Sequence, residues 1–94
     1  METIGVLIVE DQAVLRESLV STIDSQPDMH VVATLADAAE APAFVAGGGV
    51  DLALMDVCTE NDSSGIVAAK RIKQDSPKVR VVIMTGMPEI TFVE

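Results

Sequence analysis

Residues 4–11 read Ile4-Gly5-Val6-Leu7-Ile8-Val9-Glu10-Asp11, and residues 52–56 read Leu52-Ala53-Leu54-Met55-Asp56. Each is a short apolar run that ends on acid. Runs of this length without polar alternation read as strands buried on both faces, which implies a parallel sheet covered by helices. Such sheets bind ligands in the crevice outside the carboxyl ends of their strands, where both acidic ends fall. A third run, Val79-Arg80-Val81-Val82-Ile83-Met84, ends in Thr85-Gly86. One crevice is therefore expected to gather Glu10, Asp11, Asp56 and the Thr85 hydroxyl.

Working outward, strand and helix signals alternate. Leu15, Leu19, Val20 and Ile23 fall at helical spacing, with Arg16, Glu17 and Ser18 expected to face outward. Pro27-Asp28 stops that helix, and His30 to Thr34 reads as a second strand. Asp37 and Glu40 resemble a capping box opening a second helix. Pro42 removes one of its hydrogen bonds, so a short or irregular start is expected, and Gly47-Gly48-Gly49 ends it. Strand three spans Asp51 to Met55, and a polar loop, Cys58 to Ser63, leads to a third helix from Ser64 to Gln74. Strand four is Val79 to Met84, and Pro88-Glu89 reads as the start of a fourth helix. This order predicts an open parallel α/β sheet with right-handed crossovers, strand order 2-1-3-4, and a topological switch between strands one and three.

Composition narrows the function. The 94 residues fit one domain, and 49% are hydrophobic, which is globular rather than disordered. Six basic against fifteen acidic residues leave a formal charge of −9, the wrong sign for nucleic-acid binding. Cys58 is the single cysteine, which excludes an internal disulfide and fits a reducing, cytoplasmic compartment. No run approaches the ~20 apolar residues of a membrane span.

Charge then suggests the chemistry. Unit charges ~4 Å apart repel by roughly 4 kcal/mol at an effective dielectric of ~20, so three converging carboxylates call for protonation or a cation. Oxygen donors with open positions suit Mg²⁺, which keeps waters and accepts phosphate oxygens. A carboxylate beside such a metal can act as nucleophile toward a phosphoryl group. Each feature also has a plainer explanation. Glu10 and Asp11 could cap the first helix, Asp56 could be a loop residue, and Thr85-Gly86 could be an ordinary turn. The lone His30 reads as exposed, Cys58 as a packed or partly exposed thiol, and the basic residues from Lys70 to Arg80 as a solvated face.

The stretches Leu7-Ile8-Val9-Glu10-Asp11, Leu54-Met55-Asp56 and Ile83-Met84-Thr85-Gly86 resemble the receiver domains of two-component response regulators. The intervals of 45 residues from Asp11 to Asp56 and 29 to Thr85 are similar to that family as well. The resemblance implies a flavodoxin-like fold. It makes Asp56 the phosphoacceptor, and it makes Glu10, Asp11, Asp56 and the backbone carbonyl of Cys58 the Mg²⁺ ligands. Thr85 becomes the switch hydroxyl. It further implies a histidine kinase or phosphotransfer protein as phosphodonor, an output module in a longer parent protein, DNA-binding in regulators with helix-turn-helix outputs, and self-phosphorylation and dephosphorylation without a separate substrate.

Two departures stand out. Residues 57–65 lack the proline the family carries after the phosphoacceptor, and Glu60 and Asp62 add negative charge there. The family also has a fifth strand ending in a lysine, then a last helix; with no lysine after Lys78, both elements are expected to be absent and the domain truncated. Strand four would then be an open edge, prone to self-association. The rival readings are a binding-only pseudo-receiver and an aspartate-nucleophile phosphatase; the latter would carry Asp-x-Asp after strand one, where Glu10-Asp11-Gln12 stands.

Overall fold

Alternation of side chains along buried strands decides how this chain layers. In the computed structural model, which describes residues 3–57, 64–85 and 90–93, one five-stranded sheet carries three α-helices. Strands β1 (Ile4–Val9), β2 (Met29–Leu35), β3 (Leu52–Val57) and β4 (Arg80–Thr85) run parallel. The sheet order is β2-β1-β3-β4-β5, so the expected 2-1-3-4 order holds. Helices α1 (Ala13–Asp24), α2 (Ala41–Ala46) and α3 (Ser64–Asp75) link the parallel strands.

Successive residues feed opposite faces. Val6, Ile8 and Leu54 pack with Leu19, Val20 and Ile23 of α1. Leu7, Val9, Ala53, Met55, Val81 and Ile83 pack with Val45 of α2 and Ala68, Ala69 and Ile72 of α3. Leu7, Ile8, Met55 and Ile72 are fully buried, each contributing about 1.5–3 kcal/mol.

At the far edge the sequence reading needs correcting. Ile90–Val93 forms a fifth strand, β5, antiparallel to β4 with Met84 opposite Ile90 and Val81 opposite Val93. It is neither absent nor the fourth helix expected to follow Pro88-Glu89, which themselves lie outside the described residues. Thr91, Phe92 and Val93 have the branched and aromatic side chains that favour strands. Because β5 pairs with β4, the β4 edge expected to be open and prone to self-association is covered.

Four smaller devices shape the connections and strand ends. Asp37 Oδ1 accepts from Ala39 N at 3.0 Å and caps a 3₁₀ turn, Ala38–Glu40, that runs into α2. Pro42 sits in the first turn of α2, where its missing N–H costs nothing; the irregular start is as expected. Gly48 and Gly49 follow α2 at φ +90° and +88°, a left-handed backbone that side-chain-bearing residues avoid. The β1–β2 ladder shifts register between Val6, opposite Val31, and Leu7, opposite Ala33. This one-residue bulge moves Ala33 and Leu35 to the α2–α3 face while Met29 and Val31 stay under α1. Among the described residues no helix is long and apolar enough to cross a membrane.

Candidate functional site

The ladder between β1 and β3 aligns the two acidic strand ends. Val6 to Val9 pair with Leu52 to Met55 in unbroken register. Glu10 and Asp56 therefore each stand one residue past the last pair, on parallel strands spaced about 4.8 Å apart. On the other side of β3, Asp56 is opposite Met84 and Val57 opposite Thr85. The backbone thus brings Glu10, Asp56 and Thr85 to one edge, at the carboxyl ends of three neighbouring strands. For Asp56 and Thr85 the backbone defines that placement. Cys58 and Gly86 lie outside the described residues.

Glu10 and Asp11 differ in environment despite being adjacent. Among the described residues Glu10 is the buried charged one, with no exposed surface. A buried carboxylate is costly unless partnered, and Glu10 is partnered: no buried side-chain oxygen or nitrogen among the described residues is left unsatisfied. Asp11 is exposed and makes no hydrogen bond within the described structure. The cap of α1 is Gln12, in extended conformation and with no side-chain cap bond, and the first turn of α1 contains no acid. Capping therefore does not account for the Glu10-Asp11 pair.

The backbone of Glu10 is pinned on two sides. Its N–H donates to the carbonyl of Leu35 at the end of β2, at 2.9 Å. Its carbonyl accepts from the guanidinium of Arg16 at 2.8 Å. Both contacts escaped the sequence reading. Leu35 arrives there through the register shift in β2, which has no obvious sequence mark. Arg16 was expected to face outward, yet it is half-buried and folds back along the helix.

At the opposite end of the sheet, Asp51 clamps three strands. Its carboxylate accepts from Gly5 N at 2.8 Å, its N–H donates to Gly5 O at 2.8 Å, and its carbonyl accepts from Arg80 N at 3.0 Å. These bonds hold the register that later sets Glu10 beside Asp56.

The donor chemistry of the upper edge is all oxygen. Among the described residues no three His, Cys, Asp or Glu side chains form a metal-holding group; Glu10 and Asp11 supply a pair. Mg²⁺ needs no more than one or two protein carboxylates, with waters and phosphate oxygens completing its octahedron, so the pair fits that ion by donor type. His30, the other ordinary ligand type here, is exposed on β2 and shares a 2.7 Å hydrogen bond between Nδ1 and Thr3 Oγ1, remote from this edge. The cations near the end of α3 have structural partners: Arg71 pairs with Asp75, and Lys73 donates to the carbonyls of Pro77 and Val79.

Comparison with known proteins agrees with this geometry. The family model described as "Response regulator receiver domain" matches residues 6–94. The oxygen regulatory protein NreC of Staphylococcus haemolyticus is 34% identical over 80 residues, which are 85% of this chain and 37% of that protein. NreC of Staphylococcus aureus is 35% identical over 80 residues with the same coverage. The chain thus spans 37% of the length of these curated relatives. Among solved structures, the response regulator domain of Thermotoga maritima CheB superposes with a TM-score of 0.80 at 38% identity, over 94% of this chain and 64% of that one. A LuxR-family two-component response regulator from Aurantimonas sp. gives 0.77 at 31% identity, over 89% of this chain and 59% of that one.

Proposed function

Since this chain belongs to the response regulator receiver domains of two-component signalling, we propose that it takes a phosphoryl group on Asp56 and uses the modification to control an output. The observation that carries this reading is the register of β1, β3 and β4. It sets the chain at Glu10, Asp56 and Thr85 side by side at the topological switch, where open α/β sheets bind their ligands.

In this reading a carboxylate oxygen of Asp56 attacks the phosphorus of the donor. The new O–P bond forms as the bond from phosphorus to the donor's leaving group breaks, and the leaving group departs with the electron pair and takes up a proton. Glu10, Asp11, Asp56 and the carbonyl of Cys58 would hold Mg²⁺, which supplies charge neutralisation at the phosphoryl oxygens. The burial of Glu10 keeps its carboxylate at a fixed place, while exposed Asp11 is accessible to an incoming ion and its waters. The Thr85 hydroxyl donates a hydrogen bond to a phosphoryl oxygen, and that new contact pulls on the end of β4, the strand that carries β5. Hydrolysis by water returns the carboxylate, so the domain acts only on itself.

The donor in this reading is a phosphohistidine on a histidine kinase or phosphotransfer protein, and the output belongs to a longer chain. The relatives support an output of the kind that LuxR-family regulators carry. A beryllofluoride-activated NtrC receiver domain, at 26% identity and a TM-score of 0.72, indicates the probe. Beryllofluoride with Mg²⁺ should saturate the protein and shift backbone amide resonances around residues 10, 56 and 85. Absence of any shift at millimolar Mg²⁺ and beryllofluoride would instead support a binding-only domain that keeps the fold without phosphotransfer.

A further inference from the structure

We propose that Arg16 is a positioning residue for the acidic pair, holding the Glu10 peptide so that Glu10 and Asp11 present their carboxylates as one metal-binding unit; this rests on the phosphoacceptor reading above. Arg16 stands one turn inside α1, with its own N–H bonded to Gln12 O at 2.9 Å. A cation there opposes the helix dipole, which favours anions at the N-terminus, so the placement needs a reason. Geometry supplies it. Helical side chains lean toward the N-terminus of their own helix, which lets an arginine in the first turns reach back across the strand-helix junction. Arg16 does so, and its Nη1 donates to Glu10 O at 2.8 Å, six residues upstream.

That bond completes a two-sided grip. Leu35 O holds the Glu10 N–H from β2, and Arg16 holds the Glu10 carbonyl from α1. The Glu10 carbonyl is also the start of the peptide bond to Asp11, so fixing it fixes the direction in which the Asp11 side chain leaves the chain. Among the described residues, Arg16 has no carboxylate within ion-pair distance. Its guanidinium donates to a backbone carbonyl.

Two effects of removing Arg16 have opposite signs, which makes the idea testable. Loss of a nearby positive charge by itself would strengthen cation binding to the acidic pair. Loss of the grip would weaken it, because each carboxylate must then be ordered on binding. A hydrogen bond from a charged donor, converted at tenfold per 1.4 kcal/mol, places the second effect at about tenfold or more, and we expect it to win.

The experiment measures Mg²⁺ affinity by calorimetry for wild-type protein, Arg16→Ala and Arg16→Lys, with labelling from acetyl phosphate at saturating Mg²⁺ as a second readout. Arg16→Ala should raise the Mg²⁺ dissociation constant about tenfold, and added Mg²⁺ should recover most of the labelling rate. Arg16→Lys, which keeps one donor and the charge, should recover part of the affinity. Unchanged or tighter Mg²⁺ binding by folded Arg16→Ala overturns the proposal, as does an Arg16→Lys variant no better than Ala. Should Arg16→Ala fail to fold, Arg16→Lys and Arg16→Gln carry the comparison, and equal affinity in all folded variants overturns it. Wild-type protein that binds no Mg²⁺ would overturn the phosphoacceptor reading itself, a result distinct from any difference among variants.

Discussion

Gly5→Ala tests the idea that the lower end of the sheet sets the geometry of the upper end. A Cβ at Gly5 would lie 2.7 Å from the carbonyl oxygen of Gly49 and 3.1 Å from Val32 Cγ1. The first obstacle is backbone and cannot rotate away. Restoring an ordinary C···O separation of ~3.3 Å requires a movement of about 0.6 Å. Gly5 is held to Asp51 by two bonds of 2.8 Å, and stretching either by that amount takes it past the ~3.2 Å limit of good geometry. Losing the bond to the Asp51 carboxylate costs about 1.5–3 kcal/mol. Overpacking adds about 1–3 kcal/mol, while the reduced entropy of the unfolded chain returns about 0.4–1 kcal/mol. The net is a loss of about 2–5 kcal/mol, against a total of roughly 5–14 kcal/mol for a chain of this length. Urea unfolding followed by far-UV circular dichroism measures it. Asp51→Asn, which retains an acceptor for Gly5 N, should lose only about 0.5–1.5 kcal/mol. A Gly5→Ala protein within 0.5 kcal/mol of wild type would refute the close-approach argument.

Other outcomes follow from burial and from the acidic pair. Ile72→Ala empties a site in the α2–α3 core where the side chain is 1% exposed, and should lower unfolding free energy by about 2–5 kcal/mol with no change in urea m-value; a loss below 1 kcal/mol would mean the core is not packed as described. Mg²⁺ at ten times its dissociation constant should stabilise the protein by about 1.4 kcal/mol through mass action. Asp11→Ala should remove most of that gain in a thermal melt, and equal Mg²⁺ shifts in both proteins would show that Asp11 is not a ligand.

The parts of this fold legible in the sequence were those written in buried apolar runs. Ile4 to Val9 and Leu52 to Met55 have few polar residues to confuse the period, and they gave the strands, the parallel order and the acidic ends together. The terminal segment departs from expectation because Pro88-Glu89 resembles a helix start, whereas Ile90-Thr91-Phe92-Val93 has side chains that suit a strand. The bulge in β2 was illegible for a different reason: Val31 and Val32 are both apolar, so the point at which the strand changes face leaves no mark. Arg16 was misplaced by assuming that a charged residue between apolar helix positions points to water, whereas a long side chain can fold back onto backbone. The strand-end positions of Glu10, Asp56 and Thr85 were legible because the apolar runs locate them; the grip on the Glu10 backbone was not, because it depends on contacts between three elements.

The central claim is that Asp56 accepts a phosphoryl group, and site mapping of labelled protein tests it most directly. The protein in its full natural length, incubated with acetyl phosphate and Mg²⁺, then reduced with borohydride and digested, should show the modification at Asp56. Chelation of Mg²⁺ or the Asp56→Asn substitution should abolish it, because an amide is not a competent nucleophile. Modification at another residue, or labelling of Asp56→Asn at the wild-type rate, would contradict the account.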